Sequence, residues 1–155
     1  MSGTQGRTET GLSRSQYAAL ADFRYRLRRF LAFSEAAAAQ AGLPAQQHQA
    51  LLTLDGHEGR GPATVGLLAD HLLIAPHTAA ELVARMVEAG LVTKTRGEGD
   101  RRRMELRLTR RAANLLGALT DAHLEELRHL GPALIAALGE GPGMSRQTAG
   151  SDGEA

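Results

Sequence analysis

Between Lys94 and Arg111 the sequence carries eight basic side chains (Lys94, Arg96, Arg101, Arg102, Arg103, Arg107, Arg110 and Arg111) against three acidic ones, Glu98, Asp100 and Glu105. The other 10 basic and 14 acidic residues leave the rest of the chain at −4, although the whole is only +1. Guanidinium groups at this density hold phosphates; they do not make or break bonds. A molecule polarised in this way offers one face to a polyanion and repels it elsewhere. The five aromatics, Tyr17, Phe23, Tyr25, Phe30 and Phe33, all lie outside the basic run. Single-strand binders stack bases on aromatic side chains within their basic surface, so this pattern favours duplex DNA over single strands or RNA.

The other potentially reactive residues lack the spacing that chemistry requires. His123, Glu126 and His129 recur every three residues, which on a helix spreads them over about 120° and suits surface charge better than chelation of one ion. There is no H-E-x-x-H pair and no G-x-S-x-G elbow, and Asp70-His71 has no partnered nucleophile. The stretch Gly56-His57-Glu58-Gly59-Arg60-Gly61-Pro62 is glycine-rich, but no strand pattern precedes it and no Gly-Lys-Ser/Thr follows. It reads as a flexible connection, not a phosphate loop. A count of zero cysteines excludes disulfides, thiolate metal sites and cysteine nucleophiles together. The expectation is a binding protein and not an enzyme, with no cofactor and no metal.

The elements that must position the arginines are legible from periodicity. Leu68 and Leu72 lie four apart with small Ala69 between them, on a short helix that Thr64 caps. Pro76 suits the first turn of a second helix, whose Ala79, Leu82, Val83 and Met86 form one apolar stripe. His77, Thr78, Glu81 and Arg85 fall on its other faces, and Gly90 closes it. Residues 91–95 are strand-like, 96–100 form a polar, glycine-bearing tip, and in 101–109 Met104, Leu106 and Leu108 alternate with Arg103, Glu105 and Arg107. This is a helix-turn-helix followed by a β-hairpin wing. Such a unit places a helix in the major groove and sends the hairpin tip toward the backbone or minor groove.

Around it the pattern is helical. A long helix over 14–41 carries Leu20, Phe23, Leu27, Phe30, Leu31 and Ser34 at helical spacing, with Arg24, Arg28 and Arg29 on another face. A second helix over 44–55 should bury Leu51, Leu52 and Leu54, with His48 on its opening turns as a surface or half-buried group. Past Thr109, which caps a new helix, Ala112, Leu115, Leu116, Leu119, Leu124, Leu127 and Leu130 mark an amphipathic segment that Gly131-Pro132 should break before a short helix over 133–138. Residues 1–13 and 139–155 are expected to be disordered tails. The fold class expected is mainly α with a small antiparallel β-hairpin wing: a domain over 14–138 with a recognition unit over 64–109. The apolar faces of the terminal helices, 14–41 and 110–138, exceed what one winged domain needs, and a two-fold dimer accounts for the surplus. No apolar run reaches the roughly 20 residues of a membrane span. Residues 1–9 have no secretory apolar core, so a cytoplasmic location is expected.

The run Asp100-x-Arg102-x-x-x-Leu106-x-Leu108-Thr109 resembles the wing signature D-x-R-x-x-x-L-x-L-T of the MarR family of winged helix-turn-helix transcriptional regulators. Leu68-Ala69-x-x-Leu72 and Leu82-Val83-x-x-Met86-x-x-x-Gly90-Leu91-Val92 fall where that family has its recognition unit, and the likeness spans roughly residues 15–138. It implies a homodimer on a palindromic double-stranded DNA operator, most simply a repressor that a small-molecule effector releases. An activator or effector-independent DNA binder on the same fold, or a winged-helix protein-interaction module, remain as alternatives. Pro76, His77, Thr78 and Arg85 would present the recognition helix, and Arg96, Asp100, Arg101, Arg102 and Arg103 would form the wing. Asp100 would orient the guanidinium of Arg102 for the minor groove, as the family's D-x-R does. Tyr25, Arg28 and His48 are the polar candidates for an effector pocket. Members that sense peroxides do so through a cysteine, which this chain lacks. Two departures stand out: Leu73 lies where the family often has glycine, implying a turn closed by packing, and Ala75 replaces the usual Ser or Thr cap.

Overall fold

The computed structural model describes residues 13–59, 61–97 and 102–139. The elements run α1 (Arg14–Gln40), α2 (Ala45–Asp55), α3 (Val65–Leu72), α4 (Pro76–Glu88), β1 (Val92–Arg96), β2 (Met104–Leu108) and α5 (Arg110–Gly139). The chain divides into two compact units, one from residues 31–125 and one from residues 1–30 with 126–155. The expected disordered tails lie outside the described residues, apart from Ser13 and the last helical residue, Gly139.

Unit 31–125 holds the hydrophobic core and the whole helix-turn-helix with its hairpin. Leu68 and Ala69 of α3, Ala79, Leu82, Val83 and Met86 of α4, and Leu51 and Leu54 of α2 are all buried. The alanines at 69 and 79 let α3 and α4 approach closely, and each large buried side chain contributes about 1.5–3 kcal/mol of burial. Leu52, expected inside, is 42% exposed, because it projects from α2 between the buried positions 51 and 54. The hairpin pairs antiparallel from Val92↔Leu108 to Arg96↔Met104. The Gly97 N–H donates to the Arg103 carbonyl at 3.0 Å, and the Leu106 N–H donates to the Ala63 carbonyl at 2.9 Å. The second bond fixes the wing to the segment that leads into α3. The expected caps are present: the Leu67 N–H donates to Thr64 Oγ1 and the Ala112 N–H to Thr109 Oγ1, each at 3.2 Å.

Three helices end in the same way. At Gly42, Leu73 and Gly90 the backbone turns left-handed, with φ of 73°, 54° and 69°. At each, two N–H groups reach back to the last-turn carbonyls; Leu73 N–H meets Asp70 O at 3.3 Å and Ile74 N–H meets Ala69 O at 3.1 Å. Leu73 therefore takes a glycine's place, and its side chain is 91% exposed. This corrects the packed turn expected from sequence: backbone hydrogen bonds close it at the steric cost of a left-handed Leu. Leu73→Gly is expected to stabilise the protein by about 1 kcal/mol, since it removes that cost and sacrifices no buried contact. A chemical denaturation midpoint at or below wild type would contradict this.

The break expected at Gly131-Pro132 does not occur. Pro132 lies inside α5, which runs unbroken to Gly139. Along α5 the less exposed positions include 112, 116, 119, 123, 126, 130, 133 and 137, a spacing of three and four that passes through the proline in register. Pro132 removes one N–H from the ladder, and the less exposed stripe keeps its register on both sides of it. That stripe also differs from the expected leucine face, for Leu124 and Leu127 are 46% and 41% exposed while His123 is buried. In unit 1–30 with 126–155, Phe23, Leu27 and Phe30 are half-buried, whereas Tyr17, Leu20, Tyr25, Leu134 and Ile135 are exposed.

Candidate nucleic-acid interface

Helix α4 buries one stripe and leaves the opposite side open. His77, Glu81 and Arg85 are exposed, with Thr78 half-buried beside them on the first turn and Pro76 at its start. No side chain caps this N-terminus, as Ala75 has no oxygen to offer. The first N–H groups of α4 therefore have no cap at the end where His77 and Thr78 stand, and such groups favour an anion. Ala75→Ser should supply the missing acceptor and stabilise the helix by about 1 kcal/mol. A thermal midpoint unchanged from wild type would show that the introduced hydroxyl does not cap.

On the wing, Arg102 and Arg103 line a cleft of about 620 Å3 together with Lys94, His57 and the first turn of α3, from Thr64 to Gly66. Asp70 also lies on its wall. The pairing register explains the convergence: Lys94 sits on β1 opposite Leu106 of β2, and the Leu106 bond to Ala63 draws the hairpin against the start of α3. Sequence reading placed Arg102 and Arg103 at the interface but missed Lys94 and His57. The charge of Lys94 was visible in the basic run; His57 gave no signal, because the loop carrying it reaches the cleft only through the fold. Arg96, at the end of β1, is exposed. Arg107 lies 3.5 Å from Glu105 on the strand and is 74% exposed, consistent with a solvated strand charge. Asp100 and Arg101 lie outside the described residues, and with them the Asp100–Arg102 pair.

The effector candidates fall in two different units. Tyr25 and Arg28 are exposed on α1 in unit 1–30 with 126–155. A cleft of about 330 Å3 in that unit is lined by Arg26, Arg29, Phe30, Glu126, His129 and Leu130. His48 belongs to the other unit and is only 2% exposed, which corrects its expected surface or half-buried position. The His123 ring lies 4.8 Å from it, with Phe33 edge-on to His123 at 5.5 Å. His123 Nδ1 is 2.7 Å from the Leu119 carbonyl and Nε2 is 2.8 Å from Ser34 Oγ. A carbonyl only accepts, so Nδ1 carries the proton and Nε2 accepts the Ser34 hydroxyl in the neutral ring. The surface-charge reading of His123 is thereby overturned. Burial, and secondarily the neighbouring His123, hold the His48 pKa below its ordinary 6.5.

Residues 41–103 match the sequence model of the MarR family. No curated protein sequence matches the chain. Among solved structures the chain is similar to AbsC, a MarR family transcriptional regulator from Streptomyces coelicolor, at 21% identity and a TM-score of 0.63, covering 79% of this chain and 82% of that one. It is similar to S. aureus MepR in a DNA complex at 22% identity and a TM-score of 0.60, covering 71% and 80%. A third is NadR in complex with 4-hydroxyphenylacetate, at 21% identity and a TM-score of 0.56, covering 86% and 85%. Among the described residues, the five helices and two-stranded hairpin have the winged helix-turn-helix fold of these neighbours.

Proposed function

From a chain whose residues 41–103 carry the MarR family's sequence pattern and whose fold is the family's winged helix, we propose a dimeric, sequence-specific DNA-binding transcriptional regulator. The observation that carries this reading is the pairing of an exposed α4 face, with His77, Thr78 and Arg85, and a cleft that gathers Lys94, Arg102 and Arg103 beside the first turn of α3. The first reads base edges in a major groove; the second holds backbone phosphates. Arg96, Asp100 and Arg101 extend the wing side of the interface in this reading. That MepR was solved with DNA supports a duplex as partner.

The regulator is a repressor in this reading, relieved by a small molecule that binds the DNA-incompetent dimer better and so weakens DNA binding by the reciprocal factor. That NadR was solved with 4-hydroxyphenylacetate supports an organic effector. The dimer is supported by large apolar side chains left open in the single chain, including Leu124, Leu127, Leu134 and Ile135. Two copies place two recognition helices about 34 Å apart, matching a palindrome. Light scattering should return twice the mass of one chain at micromolar concentration; a monomer would sink the two-half-site scheme. The protein acts in the cytoplasm in this account, and among the described residues no helix is long and apolar enough to cross a membrane. The test of the function is binding to duplex from upstream of its own gene in preference to a scrambled duplex.

A further inference from the structure

The C-terminal end of α4 is held by side chains from the start of α5. Thr109 Oγ1 donates to the Gly90 carbonyl at 2.8 Å, and the same oxygen accepts the Ala112 N–H. Arg111 Nη1 donates to the Ala89 carbonyl at 2.7 Å, and the Thr109 N–H donates to the Leu91 carbonyl at 3.0 Å. Ala89 caps α4 and Gly90 follows it, where the last carbonyls have no partner within the helix. A cation at that point also meets the negative end of the helix dipole. Gly90 is glycine for its φ of 69°, not for room: a Cβ there would stand 3.8 Å from Arg111 Nη1, an ordinary contact. From charge alone Arg111 would join its neighbours in the basic run as a phosphate contact. The geometry instead directs its guanidinium at a backbone carbonyl.

We propose that Arg111 and Thr109 are positioning residues for DNA recognition, a clamp that fixes the end of α4 to the first turn of α5 and so sets how His77, Thr78 and Arg85 are presented. The inference rests on reading α4 as the recognition helix. A change at the start of α5 reaches α4 through this joint.

The full-length protein tests it, titrated with duplex from upstream of its own gene and with a scrambled duplex across a salt series. Arg111→Met keeps the length of the side chain and removes its donors. It should cut the preference for the upstream duplex about tenfold while leaving scrambled-duplex affinity and the salt slope unchanged. Arg111→Lys, whose ammonium can donate to the same carbonyl, should restore most of the preference. Without DNA, the amide protons of Ala89, Gly90 and Leu91, which close the last turn of α4, should exchange faster in Arg111→Met than in wild type. Equal loss on both duplexes with the slope reduced by about 1 would make Arg111 a phosphate contact and overturn the proposal. Unchanged exchange at those amides would overturn it as well. If the wild type shows no preference at all, the recognition-helix reading falls and the positioning role falls with it, even where exchange still reports the clamp.

Discussion

With Arg102 and Arg103 both replaced by alanine, duplex affinity is expected to fall about a hundredfold, equally for the upstream and scrambled duplexes. Both side chains line the cleft that also holds Lys94 and the first turn of α3, and in the proposed interface that cleft meets the DNA backbone, not the base edges. A charge-assisted hydrogen bond contributes about 1.5–3 kcal/mol, or roughly tenfold or more for each arginine. Each lost phosphate contact should also lower the salt slope by about 0.9, so the double variant should bind with a slope smaller by about 2. Arg85→Ala should behave differently: on the exposed side of α4 its loss should reduce discrimination between the two duplexes, by about 1–3 kcal/mol where it reads a guanine, with little effect on the slope. Anisotropy titrations at several salt concentrations separate the two patterns. An unchanged slope in the Arg102/Arg103 variant would remove the wing from phosphate binding.

His123→Ala is expected to destabilise the protein by about 3 kcal/mol, although it lies outside the candidate interface. The substitution empties a site between Phe33 and His48 and leaves the Ser34 hydroxyl without the ring nitrogen that accepts it. The same cluster gives the fold an acid sensitivity. His48 is held below its ordinary 6.5 by burial first and by His123 second, so the folded protein resists a proton that the unfolded chain accepts. Its contribution is complete above about pH 6.5 and is lost as the pH falls from there through the lower folded value. His48→Leu should therefore lose less stability than wild type between neutral and mildly acidic pH, measured by urea denaturation at each pH. Parallel pH profiles for the two proteins would show that His48 does not carry the effect.

The recognition unit was legible because its signals are local. The stripe Ala79, Leu82, Val83 and Met86 predicts a helix face, Thr64 and Gly90 mark ends through their own backbone and side-chain chemistry, and Met104, Leu106 and Leu108 alternate as a strand must. What escaped depends on distant partners. His123 reads as surface charge on a helical wheel, and partners distant in the chain, Ser34 89 residues away with Phe33 and His48 beside it, accompany its burial. Pro132 reads as a helix breaker because propensity is local, whereas the stripe that carries α5 through it is assembled by packing. Leu73 disfavours a left-handed turn by every local rule. The Leu73 and Ile74 N–H groups, both bonded back to carbonyls of α3, hold it there regardless. Lys94 and His57 reach the cleft only through the fold, which draws the hairpin against the start of α3.

Specific duplex recognition by α4, with support from the wing, stands or falls on one titration. Fluorescence anisotropy of the full chain with duplex from upstream of its own gene, against a scrambled duplex of equal length, should show a preference of about 10³ or more and an affinity that falls steeply with salt. Equal and weak binding to both duplexes would contradict the account, leaving the winged helix intact but without the operator that the exposed face of α4 is proposed to read.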